Sequence, residues 1–164
     1  MRHVKEAPRV RICAYPVYWL VEDGSFETDK EITWSTGRST KAGDIQVFAV
    51  SSTLAGAPDE LANDPRRDAV HSIWEAITPP LPNYAIDLGE EEEWPVQTKF
   101  RLLVKLKNPV PKSDLIQAGL LKRSWPRHWQ GKILHAESDI EKLGEILARK
   151  NPDQRRGVWD ALNL

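Results

Sequence analysis

One cysteine in 164 residues leaves no partner for an internal disulfide. Cys13 sits among apolar neighbours, the setting of a small buried hydrophobe rather than of a reactive thiol. No apolar run approaches the ~20 residues that a membrane span needs. The opening Met1-Arg2-His3-Val4-Lys5-Glu6 lacks the apolar stretch of a signal peptide. Together these absences imply an intracellular, cytoplasmic protein with no membrane partner. His3, His71, His128 and His135 have no carboxylate or cysteine at ligand spacing, and nothing reads HExxH or CxxC, so a metal site is not expected. A glycine-rich phosphate loop and a GxSxG elbow are also missing, and no cofactor is implied. A net charge of −1 argues against a protein that coats nucleic acid indiscriminately.

What is present is segregated charge and tryptophan. The length suits a single domain, residues 1–164, that buries roughly two-thirds of its unfolded surface. From Lys99 to Lys132 nine positive residues face one acid, Asp114, whereas Asp87 and Glu90 to Glu93 make an acidic loop just upstream. Such a basic stretch beside Trp125 and Trp129 has the composition of a surface that holds phosphates next to stacking rings.

The strand pattern is clearest over Lys99–Lys107, where Phe100, Leu102, Val104 and Leu106 alternate with Arg101, Leu103, Lys105 and Lys107. Arg11–Val21, interrupted or on an edge at Pro16, Asp44–Ser51 and Ala69–Thr78 also read as strands. Residues 57–65 read as a loop or a single helical turn. Pro111 and Ser113 open a short helix that Gly119 closes. Ser138 and Glu141 have capping-box spacing, so a helix is expected from about Asp139 to Lys150, stopped by Asn151-Pro152. A last amphipathic segment, Arg155–Leu162, should dock on the body through Val158, Trp159 and Leu162. The order predicts an α+β domain on a mixed, curled sheet.

Trp34-Ser35-Thr36 is the segment with most chemical content. Set in a loop between two strands, an indole followed by two small hydroxyl residues offers a stacking plate beside donors that read the edge of a flat polar ligand. Seven tryptophans are too many for one pocket. Trp19, Trp74 and Trp159 sit in strand or amphipathic patterns and belong to the core, while Trp34, Trp94, Trp125 and Trp129 lie among Ser, Pro, His and Arg. Arg38, Lys122, Arg123 and Arg127 are the nearest suppliers of phosphate contacts. Asp44 and Glu75 fall inside strand patterns, where a carboxylate usually faces solvent.

The order Tyr18-Trp19-Leu20-Val21, Thr33-Trp34-Ser35, Lys41-Ala42-Gly43-Asp44-Ile45-Gln46-Val47-Phe48, Val70–Ile77 and Trp94 before Phe100-Arg101 resembles the EVE domain of the PUA-like superfamily. Pro109-Val110-Pro111, Leu115, Gly119-Leu120, Arg123-Ser124-Trp125 and Gln130-Gly131-Lys132-Ile133, followed by a helix with Ile140 and Leu143, continue the likeness over roughly residues 17–148. Trp34-Ser35-Thr36 also resembles the matching loop of the sister YTH domains, readers of N6-methyladenine. The resemblance implies a barrel-like mixed sheet flanked by short helices. It makes Trp34 one wall of a base pocket, Ser35 and Thr36 its polar edge, Trp94 a second wall, and Trp125 and Gln130 neighbours of the pocket. The family's asparagine-rich stretch after the tryptophan is absent here.

The expected function is therefore a noncatalytic reader of a modified base, of the methylated cytosine or adenine class, in DNA or RNA, with an effector protein or nuclease as a further partner. Two alternatives stand beside it. One is an amidohydrolase of modified nucleosides, which a resemblance to the neighbouring ASCH domains would assign to Lys41, Thr40 and Glu75. The other is a protein-interaction module using Trp129 and Trp159.

Overall fold

Apart from Gln46, every residue from Ile45 to Val50 is apolar, the pattern of a strand covered on both faces. The computed structural model describes residues 8–15, 17, 30–36, 39–52, 54, 57–82, 96–123 and 132–164, and in it all six of these side chains are buried. The strands are β1 (Val10–Tyr15), β2 (Glu31–Ser35), β3 (Ile45–Val50), β4 (Ala69–Ala76), β5 (Leu81–Pro82), β6 (Val96–Pro111) and β7 (Lys132–Leu134). They form one mixed sheet in the order β2-β6-β4-β3-β1-β7, with β5 paired to β6. The β1–β3 pair is parallel and the others are antiparallel. Among the described residues the sheet stays open between β2 and β7.

Alternation divides the interior into two cores. Val10, Ile12 and Ala14 of β1 and Ile45, Val47 and Ala49 of β3 face the helices, with Val70 and Ile73 of β4. Cys13, Tyr15, Phe48, Val50, Trp74 and Ala76 face the other way, where Ile32 and Trp34 of β2 and Phe100 of β6 join them. β6 serves both cores. Its register against β4 skips Leu103, between Leu102↔Trp74 and Val104↔Ile73. An extra residue of this kind bends a strand and re-aims its side chains. Phe100 and Leu102 accordingly lie with the aromatic core, and Leu103, Val104 and Leu106 with the helical one.

Helix α1 (Lys112–Gln117) ends as expected at Gly119, whose φ of 77° needs no Cβ. Gly119 N–H donates to Ile116 O and Leu120 N–H to Leu115 O, both at 3.0 Å, and Leu115 and Leu120 are buried together. This is a Schellman termination. Helix α2 (Glu137–Lys150) starts two residues before the sequence expectation, and Ser138 does not cap it. The Ala136 carbonyl instead accepts from Asp139 N and Ile140 N, at 3.0 and 3.2 Å, which sets the first turn at Glu137. Helix α3 (Arg155–Ala161) docks through Val158 and Ala161, followed by Leu162. The packing is close at Gly144, where a Cβ would lie 2.8 Å from Leu164 Cδ1 and would displace that side chain.

Strands β2, β5 and β7 were not expected. All are short, and two of them lie on β6 near Gln97, so tertiary pairing rather than a sequence pattern defines them. Residues 59–63 make the single turn, in 3-10 form. Trp34 is correspondingly in a strand, opposite Thr98, and not in a loop.

A second irregularity in β6 is larger. Ser72 pairs with Lys105 and Val70 with Val110, so residues 106–109 bow away from β4 opposite His71 alone. Backbone groups that leave a ladder need other partners. Gln154 supplies them by donating to Lys105 O (2.8 Å) and accepting from Lys107 N (2.9 Å). Asn151 accepts from Asn108 N (2.8 Å) and donates to Asn108 O (2.9 Å) and Leu147 O (3.0 Å). Asn151 is 2% exposed, so water cannot replace it. Asn151→Ala should cost ~1–3 kcal/mol for each group left unpaired, read as a lower urea midpoint; Gln154→Ala should cost less. An unchanged midpoint for Asn151→Ala would show that the bow does not depend on this clamp.

Candidate nucleic-acid interface

Phe48 is the hub of the second core. Its ring meets Trp34 at 5.2 Å, Tyr15 at 6.1 Å, Trp74 at 6.2 Å and Phe100 at 6.3 Å between centroids, each edge to face at 64–89°. Such pairs contribute ~0.5–1.5 kcal/mol beyond the area they bury. Trp74 is fully buried, and its indole N–H donates to Ser72 Oγ at 2.7 Å. Trp34, the outermost indole, is 9% exposed and also meets Tyr15 at 5.8 Å. Trp34 is thus a wall set in the core rather than a free plate.

The chain leaves this wall through polar residues. Thr36 N–H donates to Val96 O at 3.2 Å, and the Thr36 and Thr98 hydroxyls lie 3.0 Å apart, while Ser35 pairs with Gln97. Trp34, Ser35, Thr36, Gln97 and Thr98 therefore meet at one end of the sheet. Gln97 and Thr98 were missed from sequence because they read as the ragged start of a strand. Of the other residues expected at the pocket, Trp94, Trp125, Gln130, Arg38 and Arg127 lie outside the described residues, as do Trp19, Trp129 and residues 83–95. Lys122 and Arg123 are exposed, and Arg123 O accepts from Lys112 Nζ at 3.1 Å, which places them past the C-terminal end of β6. Trp34 is at the other end of that strand. The basic residues nearest Trp34 in register are Lys99 and Arg101, both exposed.

Beneath Trp34 the aromatic core ends in a polar pair. Tyr15 Oη lies 2.5 Å from His71 Nε2, and both residues are buried. Burial, with the charges of Arg66 and Lys105 adding to it, pushes His71 down to about 3, so the ring is neutral. Burial also pushes the Cys13 thiol up to about 11. Cys13 is buried and protonated, as its neighbours in sequence implied.

Lys41 and Glu75 lie on the opposite, helical face, and the buried Thr40 precedes Lys41 in the chain. Lys41-Ala42-Gly43-Asp44 is a turn closed by Asp44 N–H to Lys41 O at 3.0 Å, with Gly43 at φ 94°. Asp44 does not face solvent as expected. Its carboxylate accepts from Lys41 N (2.9 Å) and Arg9 N (3.2 Å) and pairs with the Arg9 guanidinium (3.1 Å), which holds β1 beside β3. Lys41, Asp44 and Glu75 line a cleft of about 760 Å³ floored by Ile45, Leu103 and Ala161. Glu75 pairs with Arg101 at 2.8 Å, and the buried Thr40 hydroxyl has no hydrogen-bond partner among the described residues. Among those residues no His, Cys, Asp and Glu cluster is arranged to hold a metal, and no helix is long and apolar enough to cross a membrane.

No family model and no curated protein sequence matches the chain. Solved structures do. A protein of Leishmania major is 13% identical with a TM-score of 0.61, covering 91% of this chain and 98% of that one. Human THYN1, solved in complex with 5-methylcytosine-containing DNA, is 11% identical with a TM-score of 0.55, covering 87% and 97%. An Agrobacterium tumefaciens protein is 15% identical with a TM-score of 0.53, covering 85% and 92%. The fold is EVE-type and PUA-like. In this EVE-type fold the aromatic core lies on the sheet face away from the helices, with Trp34 at its outer end.

The Tyr15–His71 pair gives the fold a pH signature. Unfolded, His71 takes a proton below about 6.5; folded, it does so only near 3. Between these values the unfolded chain binds more protons, so stability should fall with falling pH, by at most ~1.4 kcal/mol per unit from this group. Above 6.5 it contributes no pH dependence. Urea midpoints measured at pH 7 and pH 5 should separate less in His71→Gln than in the parent. Equal separations would mean that His71 titrates normally.

Proposed function

We propose that this chain is a noncatalytic reader of a modified base, of the methylated cytosine or adenine class, in DNA or RNA. The observation that carries the reading is the EVE-type fold shared with human THYN1, whose structure holds 5-methylcytosine-containing DNA. The aromatic wall at Trp34 beside Ser35 and Thr36 supports it. In this reading a flipped base stacks on Trp34 and Ser35 meets its polar edge, with Trp94 as the second wall and Trp125 and Gln130 close by. Phosphates are held by cations around the pocket; of the four named by sequence, Arg38 and Arg127 stay candidates for it, whereas Lys122 and Arg123 lie past the far end of β6 from Trp34. An effector protein or nuclease acts downstream.

The selectivity follows from simple magnitudes. One buried methyl contributes only ~0.8 kcal/mol. An enclosed pocket adds ~1–3 kcal/mol when the unmethylated base buries an N–H without an acceptor. Together they give on the order of tenfold to several-hundred-fold discrimination, enough for a sensor and far less than catalysis demands.

A specific observation favours one second reading. Lys41 and Glu75 share a cleft of ligand size next to Thr40, as a nucleoside amidohydrolase would require. The Glu75–Arg101 ion pair weighs against it, because the carboxylate that would have to take the proton is already engaged by a guanidinium at 2.8 Å. Release of acetate from N4-acetylcytidine, abolished by Lys41→Ala, would establish that activity.

Trp34 allows stacking and packing to be separated. Trp34→Ala should lose ~3–5 kcal/mol of stability as a core truncation. Trp34→Phe keeps an aromatic ring and should remain folded while losing part of the ~1–3 kcal/mol of stacking for the modified oligonucleotide. Preference over the unmodified strand, measured at fixed salt, should shrink in Trp34→Phe. A folded Trp34→Phe protein with undiminished preference would place the base elsewhere.

A further inference from the structure

The bowed segment of β6 borders a pocket of its own. Tyr15, His71, Asp64, Arg66, Lys105 and Lys107 are among the residues lining this pocket of about 430 Å³. Its floor is the buried Tyr15–His71 pair, and Tyr15 is also in ring contact with Trp34. The pocket and the aromatic wall are thus one side chain apart.

Of the charged residues that line this pocket, three are cations, Arg66, Lys105 and Lys107, and one is an acid, Asp64. Asp64 accepts from Arg66 at N (2.8 Å), Nε (3.0 Å) and Nη2 (2.8 Å), so this acid and this cation offset each other. Lys105 and Lys107, both exposed at their tips, add two positive charges from the other wall. Lys105 is close enough to His71 for its charge to be felt there. These lysines do not depend on a loop for their position. Gln154 holds the backbone on both sides of Leu106, and Asn151 holds the next residue. A bulge fixed in this way is a device for aiming side chains.

We propose that this pocket seats a phosphate ester, specifically one phosphodiester of the nucleic-acid strand whose modified base reaches Trp34. The strand as the source rests on the reading in the preceding subsection. The phosphate chemistry rests on the pocket itself. The volume lies in the lower part of the ~300–1,000 Å³ range of ligand pockets, suited to a phosphate with its sugar rather than to a bare ion. Lysines from a rigid strand and an arginine already oriented by Asp64 give such a group charge-assisted hydrogen bonds with little reorganisation. The position predicts a division of labour. The phosphate here fixes where the strand lies, and the wall at Trp34 reads the base.

The test is the double variant Lys105→Gln/Lys107→Gln, whose exposed tips make loss of folding unexpected; its thermal midpoint serves as the check. Affinity for modified and unmodified oligonucleotides should fall alike, by roughly tenfold, and the slope of log affinity against log salt should shrink by about one. The ratio between the two oligonucleotides should not move. Unchanged affinity and slope overturn the proposal. If the parent shows no preference between oligonucleotides but the variant loses affinity and slope, base reading fails and the phosphate site stands. Titration of cytidine 5′-monophosphate, followed by the backbone amide signals of Lys105, Leu106 and Lys107, covers the remaining case. Shifts with the mononucleotide in a parent that binds no oligonucleotide would overturn the strand as source and keep the phosphate ester; shifts with neither would overturn both.

Discussion

Sixteen consecutive residues of β6 belong to two cores at once, and the rest of the fold is arranged around that conflict. A strand has only two faces and a period of two, so it cannot pass from an aromatic core to a helical one without a break in register. The extra residue at Leu103 provides the first break and the bow at 106–109 the second. Strands β2, β4 and β5 all pair with β6, and α1 follows it directly. The backbone displaced by the bow is taken up by Asn151 and Gln154, residues of the connection between α2 and α3. The helical layer is therefore hydrogen-bonded to the same strand that sets the Trp34 wall at its other end.

The physics of the two cores suits different tasks. The helical side is aliphatic and closes through Gly144, Leu162 and Leu164 into a conventional packed layer. The opposite side is a set of edge-to-face rings around Phe48, which fixes ring orientation more sharply than aliphatic packing does. In the proposed reading that rigidity matters, because the donors of a base-reading wall must already be in place when a flat ligand arrives. Trp34 inherits its orientation from Phe48 and Tyr15, and Tyr15 in turn rests on His71.

Patterned elements were legible in the sequence and paired ones were not. The alternation in Phe100–Leu106, the Ile45–Val50 run, apolar but for Gln46, and the stripe on α2 each appear where the residues implied, as do the Gly119 stop and the docking of the last helix. The start of α2 was misread because Ser138 and Glu141 have capping spacing without making the cap. Strand β2 was missed because Glu31-Ile32-Thr33-Trp34-Ser35 gains its ladder only from β6, and that error put Trp34 in a loop. Of the residues proposed for the site, Trp34, Ser35 and Thr36 lie together at a polar sheet end beside Gln97 and Thr98. Tyr15, His71 and Arg66 could not be foreseen as neighbours, because residues 56 apart in the chain meet only through the β1–β3–β4 order.

The central claim is that nucleic acid binds across the aromatic face, from the β2 end to the bow of β6, and not on the helical face. Backbone amide shift mapping with an oligonucleotide carrying one 5-methylcytosine tests it most directly. The account predicts the largest perturbations at Ser35, Thr36, Gln97 and Thr98 together with Lys105, Leu106 and Lys107. Perturbations confined to Lys41–Asp44, α2 and α3 would contradict it.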